Sequence, residues 1–213
     1  MIAATFTNGL FAMNTGLSLL LLTIVLALPN AGLAQQHGSG GAAPPPTSAP
    51  AEAKQFDFLI GQWELEVKPK VNSLAAMIHG APKLVGSWKA WRGFDGFGVE
   101  DELRVVDASG NPMSLNQALR IYDRNQNRWT IVGLDVYRAR VSNSTAQWQG
   151  SEMRLEGNGT DSEGKPYLSR TRYFGITPDA FRMQQDRSSD NGQTWDEATL
   201  VIEAKRVAAT ATR

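Results

Sequence analysis

From Phe56 onward the chain is a succession of short stretches in which apolar and polar residues alternate, each closed by residues that favour tight reversals. Trp63, Leu65 and Val67 alternate with Gln62, Glu64 and Glu66, the period-two signature of a strand with one buried face. Comparable runs follow at Leu84–Gly93, Val99–Asp107, Gln117–Asp123, Arg128–Asp135 and Tyr137–Ala146. Four more follow: Gln147–Gln149 with Ser151–Gly157, then Leu168–Ile176, Ala180–Asp186 and Thr194–Arg206. Between them stand Asp107-Ala-Ser-Gly-Asn-Pro112, Asp123-Arg-Asn-Gln-Asn127, Asp161-Ser-Glu-Gly164, Thr177-Pro-Asp179 and Asp190-Asn-Gly192. Each supplies the Gly, Asn, Asp or Pro that a tight turn needs. No helical period longer than about two turns interrupts the series. Eight to ten strands joined by short loops predict an all-β antiparallel meander, and closing it into a barrel is the way to remove its edges. A two-sheet sandwich competes, but it requires long crossovers that this order of strands lacks.

The longest connection, Lys68 to Lys83, holds Leu74-Ala75-Ala76-Met77-Ile78 between Asn72 or Ser73 and Gly80. That pattern predicts a short helix, either a lid over one mouth of the barrel or a plug in its bottom.

The first quarter is a different material. All 21 Lys and Arg and all 21 Asp and Glu lie from Glu52 onward. Leu17–Leu28 is an uninterrupted run of 12 residues, apolar but for Ser18 and Thr23, broken by Pro29 and followed by Gly32-Leu33-Ala34. This is the layout of a signal peptide cleaved after Ala34, although no Lys or Arg precedes the run. The competing reading is an uncleaved anchor over Leu10–Leu28. Residues 35–53, with Gly38-Ser39-Gly40-Gly41 and Pro44-Pro45-Pro46, have too little apolar surface to offset ordering entropy and are expected to be a disordered tether. The barrel is assigned to 54–207 and a short tail to 208–213. The domain is expected in the periplasm or outside the cell, with no integral span after cleavage.

Composition excludes several chemistries. The formal net charge is zero, without the basic face that nucleic acid demands. With no cysteine and only His37 and His79, thiolate zinc sites, disulfides and cysteine nucleophiles are excluded. His37 lies in the tether and His79 in the long connection, so haem ligation and a Ser–His–Asp set are poorly served, and no cofactor is expected.

Gly61-Gln62-Trp63 opening the first strand resembles the Gly-x-Trp start of lipocalin-type (calycin) barrels. That resemblance implies a barrel-closing tryptophan packed on a basic residue of the last strand. Parity supplies one: if Leu200 and Ile202 point inward, so does Arg206, placing its guanidinium over Trp63. The segment Phe56–Arg206 also resembles the bacterial family known as domain of unknown function 1579. The likeness rests on Phe58-Leu59-Ile60-Gly61-Gln62-Trp63, on Leu119-Arg120-Ile121-Tyr122-Asp123 with Arg128-Trp129, and on Ser188-Ser189-Asp190-Asn191-Gly192-Gln193-Thr194-Trp195. It implies an exported lipocalin-like barrel of no established activity. The last of these motifs also matches the Asp-box of sialidase propellers, but propellers repeat it; a single copy reads as a hairpin.

By parity the inward set includes Trp88, Leu103, Leu119, Ile121, Tyr137, Met153, Leu155, Tyr173, Phe181, Met183 and Leu200, with Asp101 the inward carboxylate. Trp88, Asp101, Tyr137, Tyr173, Met183 and Gln185 are the candidate ligand contacts, since an apolar lumen with a few polar handles suits a small hydrophobic or amphipathic molecule. Two alternatives stand beside it: a filled barrel acting as an envelope interaction module, and an acid–base enzyme using Asp101 with a lumen tyrosine. Most arginines alternate onto the opposite face. Arg170 and Arg172 would enter the lumen only if the eighth strand were reversed.

Overall fold

The structure is a computed structural model, and it describes residues 48–71, 82–161 and 163–208. Ten strands run in chain order: β1 (Gly61–Pro69), β2 (Leu84–Gly93), β3 (Gly98–Asp107), β4 (Pro112–Asp123), β5 (Arg128–Asp135), β6 (Arg140–Gln149), β7 (Glu152–Thr160), β8 (Pro166–Phe174), β9 (Ala180–Ser188) and β10 (Asp196–Arg206). Each pairs antiparallel with the next, and β10 returns to β1 from Trp63 opposite Arg206 to Pro69 opposite Leu200. The sheet is therefore a closed up-and-down barrel without an edge strand, as the alternating runs predict. The expected signal segment, tether up to residue 47, lid helix, His37, His79 and residues 209–213 lie outside the described residues.

Aspartates set the reversals. Asp107 accepts the amides of Ser109 and Asn111 at 2.8 and 2.9 Å. Asp123 accepts that of Asn125 at 2.8 Å, and Asp161 those of Glu163 and Lys165 at 2.8 and 2.9 Å. A short side chain that satisfies the turn's own N–H groups competes with strand extension, so each strand stops where its aspartate stands.

Several boundaries differ from the sequence reading. Tyr137, assigned to the start of a strand, lies in the turn between β5 and β6 and is 49% exposed. Residues 147–149 end β6 rather than opening β7, because Gly150, at φ +63°, reverses the chain. The assigned tether runs too far: Ala51–Leu59 forms a nine-residue 3₁₀ helix. Ala53, Phe56 and Leu59 are its buried residues. Their spacing of three is the 3₁₀ repeat, which places them on one stripe.

That stripe plugs one end of the barrel. The Phe56 ring meets Trp129 edge-on at 4.8 Å, Phe58 meets Phe181 at 5.8 Å, and Gln55 Oε1 accepts the Trp129 indole N–H at 2.9 Å. Arg92 fastens the helix from outside through Asp57 and the Ala53 carbonyl at 2.5 Å. The closure expected from Gly-x-Trp is present at the same end. The Arg206 guanidinium stacks 4.0 Å above Trp63 and donates to the carbonyls of Ile60 (2.8 Å) and Pro178 (2.5 Å). Trp63 in turn donates its indole N–H to the Leu59 carbonyl at 2.7 Å. Gly61 has φ +128°, and a Cβ there would collide with the Arg206 terminal nitrogen, so this glycine makes room for the stack.

Strand β4 corrects the parity reading. Leu119 and Ile121 face outward, 43% and 44% exposed, while Arg120 and Tyr122 are buried. Outside, Leu119 sits opposite Val132 of β5, extending an exposed aliphatic face. Strand β8 keeps the expected orientation: Tyr173 is buried, Arg170 stacks on Trp195 at 3.8 Å, and Arg172 bonds to Glu152 and Gln184 on the exterior.

The Ser188–Trp195 motif is the β9–β10 hairpin. Asp190 accepts from Ser188 Oγ (2.7 Å), from Thr194 Oγ1 (2.6 Å) and from the Thr194 amide (2.9 Å), while Gly192 turns the chain at φ +86°. The Thr194 hydroxyl above all lowers the Asp190 carboxyl from 3.8 to about 2. A depressed carboxylate favours the fold above its unfolded value and loses that contribution as pH falls from 3.8 towards 2. A ¹³C NMR titration is expected to place the Asp190 midpoint near 2, and Thr194→Val to move it upward. An unshifted midpoint in that variant would show that the hydroxyl is not responsible.

Candidate functional site

A cavity of about 570 Å³ occupies the half of the barrel away from the plug. The room comes from side-chain size along the inward positions of β4 to β8. Ser114 and Ala118 on β4, Gly133 on β5, Ser142 and Ser144 on β6, and Ser169 on β8 all line it. Large residues at those positions would fill a ten-stranded lumen, as they do at the plugged end.

Its floor is aromatic and charged. Trp88 and Tyr173 lie with ring centroids 6.0 Å apart, next to Met183. Asp101 forms an ion pair with Arg120, and both side chains are only 4% exposed. The inward aspartate thus has an arginine partner, supplied by the β4 residue that alternation assigned to solvent. Arg120 also lies 5.3 Å over the Phe56 ring, linking the floor to the plug. Burial pulls the Arg120 guanidinium below its ordinary value, against the opposing effect of Tyr173. Burial likewise pushes the Tyr173 hydroxyl up, opposed by the charge and hydrogen bond of Arg120. An acid–base role for Asp101 with Tyr173 would therefore have to displace the guanidinium that occupies the carboxylate.

Two donors on this floor lack an acceptor among the described residues, the Trp88 indole N–H and Arg120 Nε, while Arg120 Nη1 is taken by the Asp101 carboxylate. Buried donors left unmatched are costly, so the floor offers hydrogen bonds to whatever enters.

Toward the rim the lining turns polar. Gln185 bridges Thr171 Oγ1 at 3.5 Å and the Arg187 Nε–H at 2.8 Å. Arg138 pairs with Asp135 at 2.9 Å and Arg140 donates to the Asp161 carbonyl. Arg187 lies 4.4 Å over the Tyr167 ring.

Of the residues expected at a ligand site, Trp88, Asp101, Tyr173, Met183 and Gln185 line this cavity together. Tyr137 does not; its turn carries it outside. Trp63 and Arg206 serve closure, at the opposite end. Arg120, Arg187 and Tyr167 were missed. An inward aspartate needing a cation on a neighbouring strand could have pointed to Arg120. Among the described residues no group of three or more His, Asp or Glu could hold a metal ion, and no helix is long and apolar enough to cross a membrane.

No family model and no curated protein matches the chain. Among solved structures it is similar to the S-type phycobiliprotein lyase CPES from Guillardia theta, at 10% identity and a TM-score of 0.47 over 74% of this chain and 93% of that one. It is also similar to EF1p2_mFAP2b, solved bound to DFHBI, at 9% identity and a TM-score of 0.36 over 74% of this chain and 100% of that one. Neither likeness is close enough to carry a ligand or an activity to this protein.

Proposed function

We propose that this chain is an exported carrier barrel of the domain of unknown function 1579 kind, holding a small amphipathic molecule in its lumen. The observation that supports this most is the 570 Å³ cavity with an aromatic floor and a polar upper wall. Its volume lies within the roughly 300–1,000 Å³ typical of small-molecule pockets. An apolar body gains by leaving water against Trp88, Tyr173 and Met183, and a polar end meets the arginines and amides above. The mixed lining favours an amphipathic ligand over a purely hydrophobic one. Export rests on the Leu17–Leu28 run and the small residues before Gln35.

The test uses N-phenyl-1-naphthylamine, a neutral aromatic reporter, with native mass spectrometry of the protein from its own host. Ser144 faces the cavity and Thr130 faces solvent on the neighbouring strand. Ser144→Trp is expected to weaken reporter binding by about tenfold or more, the loss of over 1.4 kcal/mol that a blocked pocket implies. Thr130→Trp should leave it unchanged. Equal behaviour of the two variants, or no saturable binding at all, would reject the lumen as the site.

A further inference from the structure

We infer that the ligand is a carboxylate-bearing amphiphile whose head group seats on Arg187 while its apolar body runs down to the Trp88 floor. The inference rests on the carrier reading above and specifies its ligand. It comes from the pairing of charges around the cavity. Four arginines line it, and three are engaged: Arg120 with Asp101, Arg138 with Asp135, and Arg140 with the Asp161 carbonyl. Arg187 has no carboxylate partner among the described residues. Its Nε–H is held by Gln185 and its face by the Tyr167 ring, so the guanidinium is fixed in orientation. Its two terminal nitrogens carry no hydrogen bond among the described residues, and the side chain is half-buried. A partly desolvated cation with a free fork favours a planar two-oxygen anion, which takes both N–H groups at once. The lining sets four arginines against three aspartates, Asp101, Asp135 and Asp161, so one positive charge is left to balance a monoanion, whereas a phosphate dianion would leave excess negative charge beside Asp135 and Asp161.

The other end is defined as well. Arg187 and Met183 are four residues apart on β9, about 13 Å of extended strand from rim to floor. A body spanning that length reaches the unpartnered Trp88 indole N–H. A carbonyl or ether oxygen at that end would accept it.

The probes are 1-pyrenebutyric acid and its methyl ester, a pair that differs in the anionic head group, titrated by fluorescence into the full chain. Arg187→Gln is expected to weaken the acid by about tenfold or more, the scale of a lost charge-assisted hydrogen-bond pair. The ester should change by less than roughly twofold, and Arg187→Lys should restore part of the loss for the acid. In the unaltered protein, lowering the pH through the probe's own carboxyl range, near pH 4–5, should weaken the acid and leave the ester flat. This comparison decides the matter even if a variant folds poorly. Equal losses for acid and ester would mean that Arg187 only shapes the wall, and an unaffected acid would also overturn the inference; in both cases the carrier reading survives. Failure of both probes and of N-phenyl-1-naphthylamine to bind the unaltered protein would overturn the two together.

Discussion

Arg120→Met is expected to destabilise the barrel by about 3–5 kcal/mol, the penalty for stranding one member of a buried ion pair. For a domain of this size that lowers Tm by roughly 10 °C. Asp101 is the group left behind: its side chain is 4% exposed and faces the removed guanidinium. Methionine nearly matches the length of the arginine stem, so packing on Phe56 is largely retained and the loss reports charge rather than volume. Asp101→Leu should cost a similar amount for the mirror reason, since it strands the cation. The double variant should be much milder than the sum, because replacing both charges by apolar groups removes both desolvation penalties. Thermal and denaturant unfolding of the four proteins closes the cycle. A strictly additive double variant would show that Asp101 and Arg120 do not depend on one another.

The same pair marks where the sequence stopped being readable. On β1 and β10 each strand has one apolar face, so alternation places Trp63 and Arg206 on the same interior side, and they stack at 4.0 Å. On β4 the outward face is the more apolar of the two. Leu119 and Ile121 alternate with Ala118, Arg120 and Tyr122, and the larger aliphatics look like the inward set. The tertiary fold decides otherwise for two reasons. The exterior of β4 and β5 accommodates an aliphatic cluster with Val132, and Asp101, across the β3–β4 ladder from Ala118, needs a cation within reach. Neither reason is local to β4. The rim is harder still. Which arginine is left without a partner depends on the β5–β6 turn folding Arg138 back onto Asp135, and on Arg140 reaching the Asp161 carbonyl. Those are outcomes of turn geometry, and residue types alone do not specify them. Trp88, Asp101, Tyr173, Met183 and Gln185 were legible because their strands alternate cleanly, while Tyr137 was misplaced because a four-residue turn occupies what reads as strand.

The plug is hidden in the sequence for a different reason. Period two does not describe the segment before β1, where Ala53, Phe56 and Leu59 repeat every three residues and belong to a 3₁₀ helix. That makes Phe56 the strongest test of whether the segment is part of the fold. The ring is fully buried and meets Trp129 at 4.8 Å, Tyr173 at 6.3 Å and the Arg120 guanidinium at 5.3 Å. A 3₁₀ helix of this length has weak internal hydrogen bonding, so its stability must come from docking that stripe into the barrel. Phe56→Ala removes the central anchor and opens a void between the plug and the cavity floor, and it is expected to cost about 3–5 kcal/mol. Lys54→Ala, on the exposed side of the same helix, should stay within roughly 0.5 kcal/mol. Because the void adjoins Tyr173 and Arg120, the loss should couple to the floor: Phe56→Ala and Arg120→Met together should depart from additivity, whereas Phe56→Ala and Thr194→Val, at opposite ends of the barrel, should simply add. Chemical denaturation of these variants measures each term. If Phe56→Ala unfolded at the same denaturant concentration as Lys54→Ala, the helix would be an appendage resting on the barrel, and the floor would have to be held in place by the strands alone.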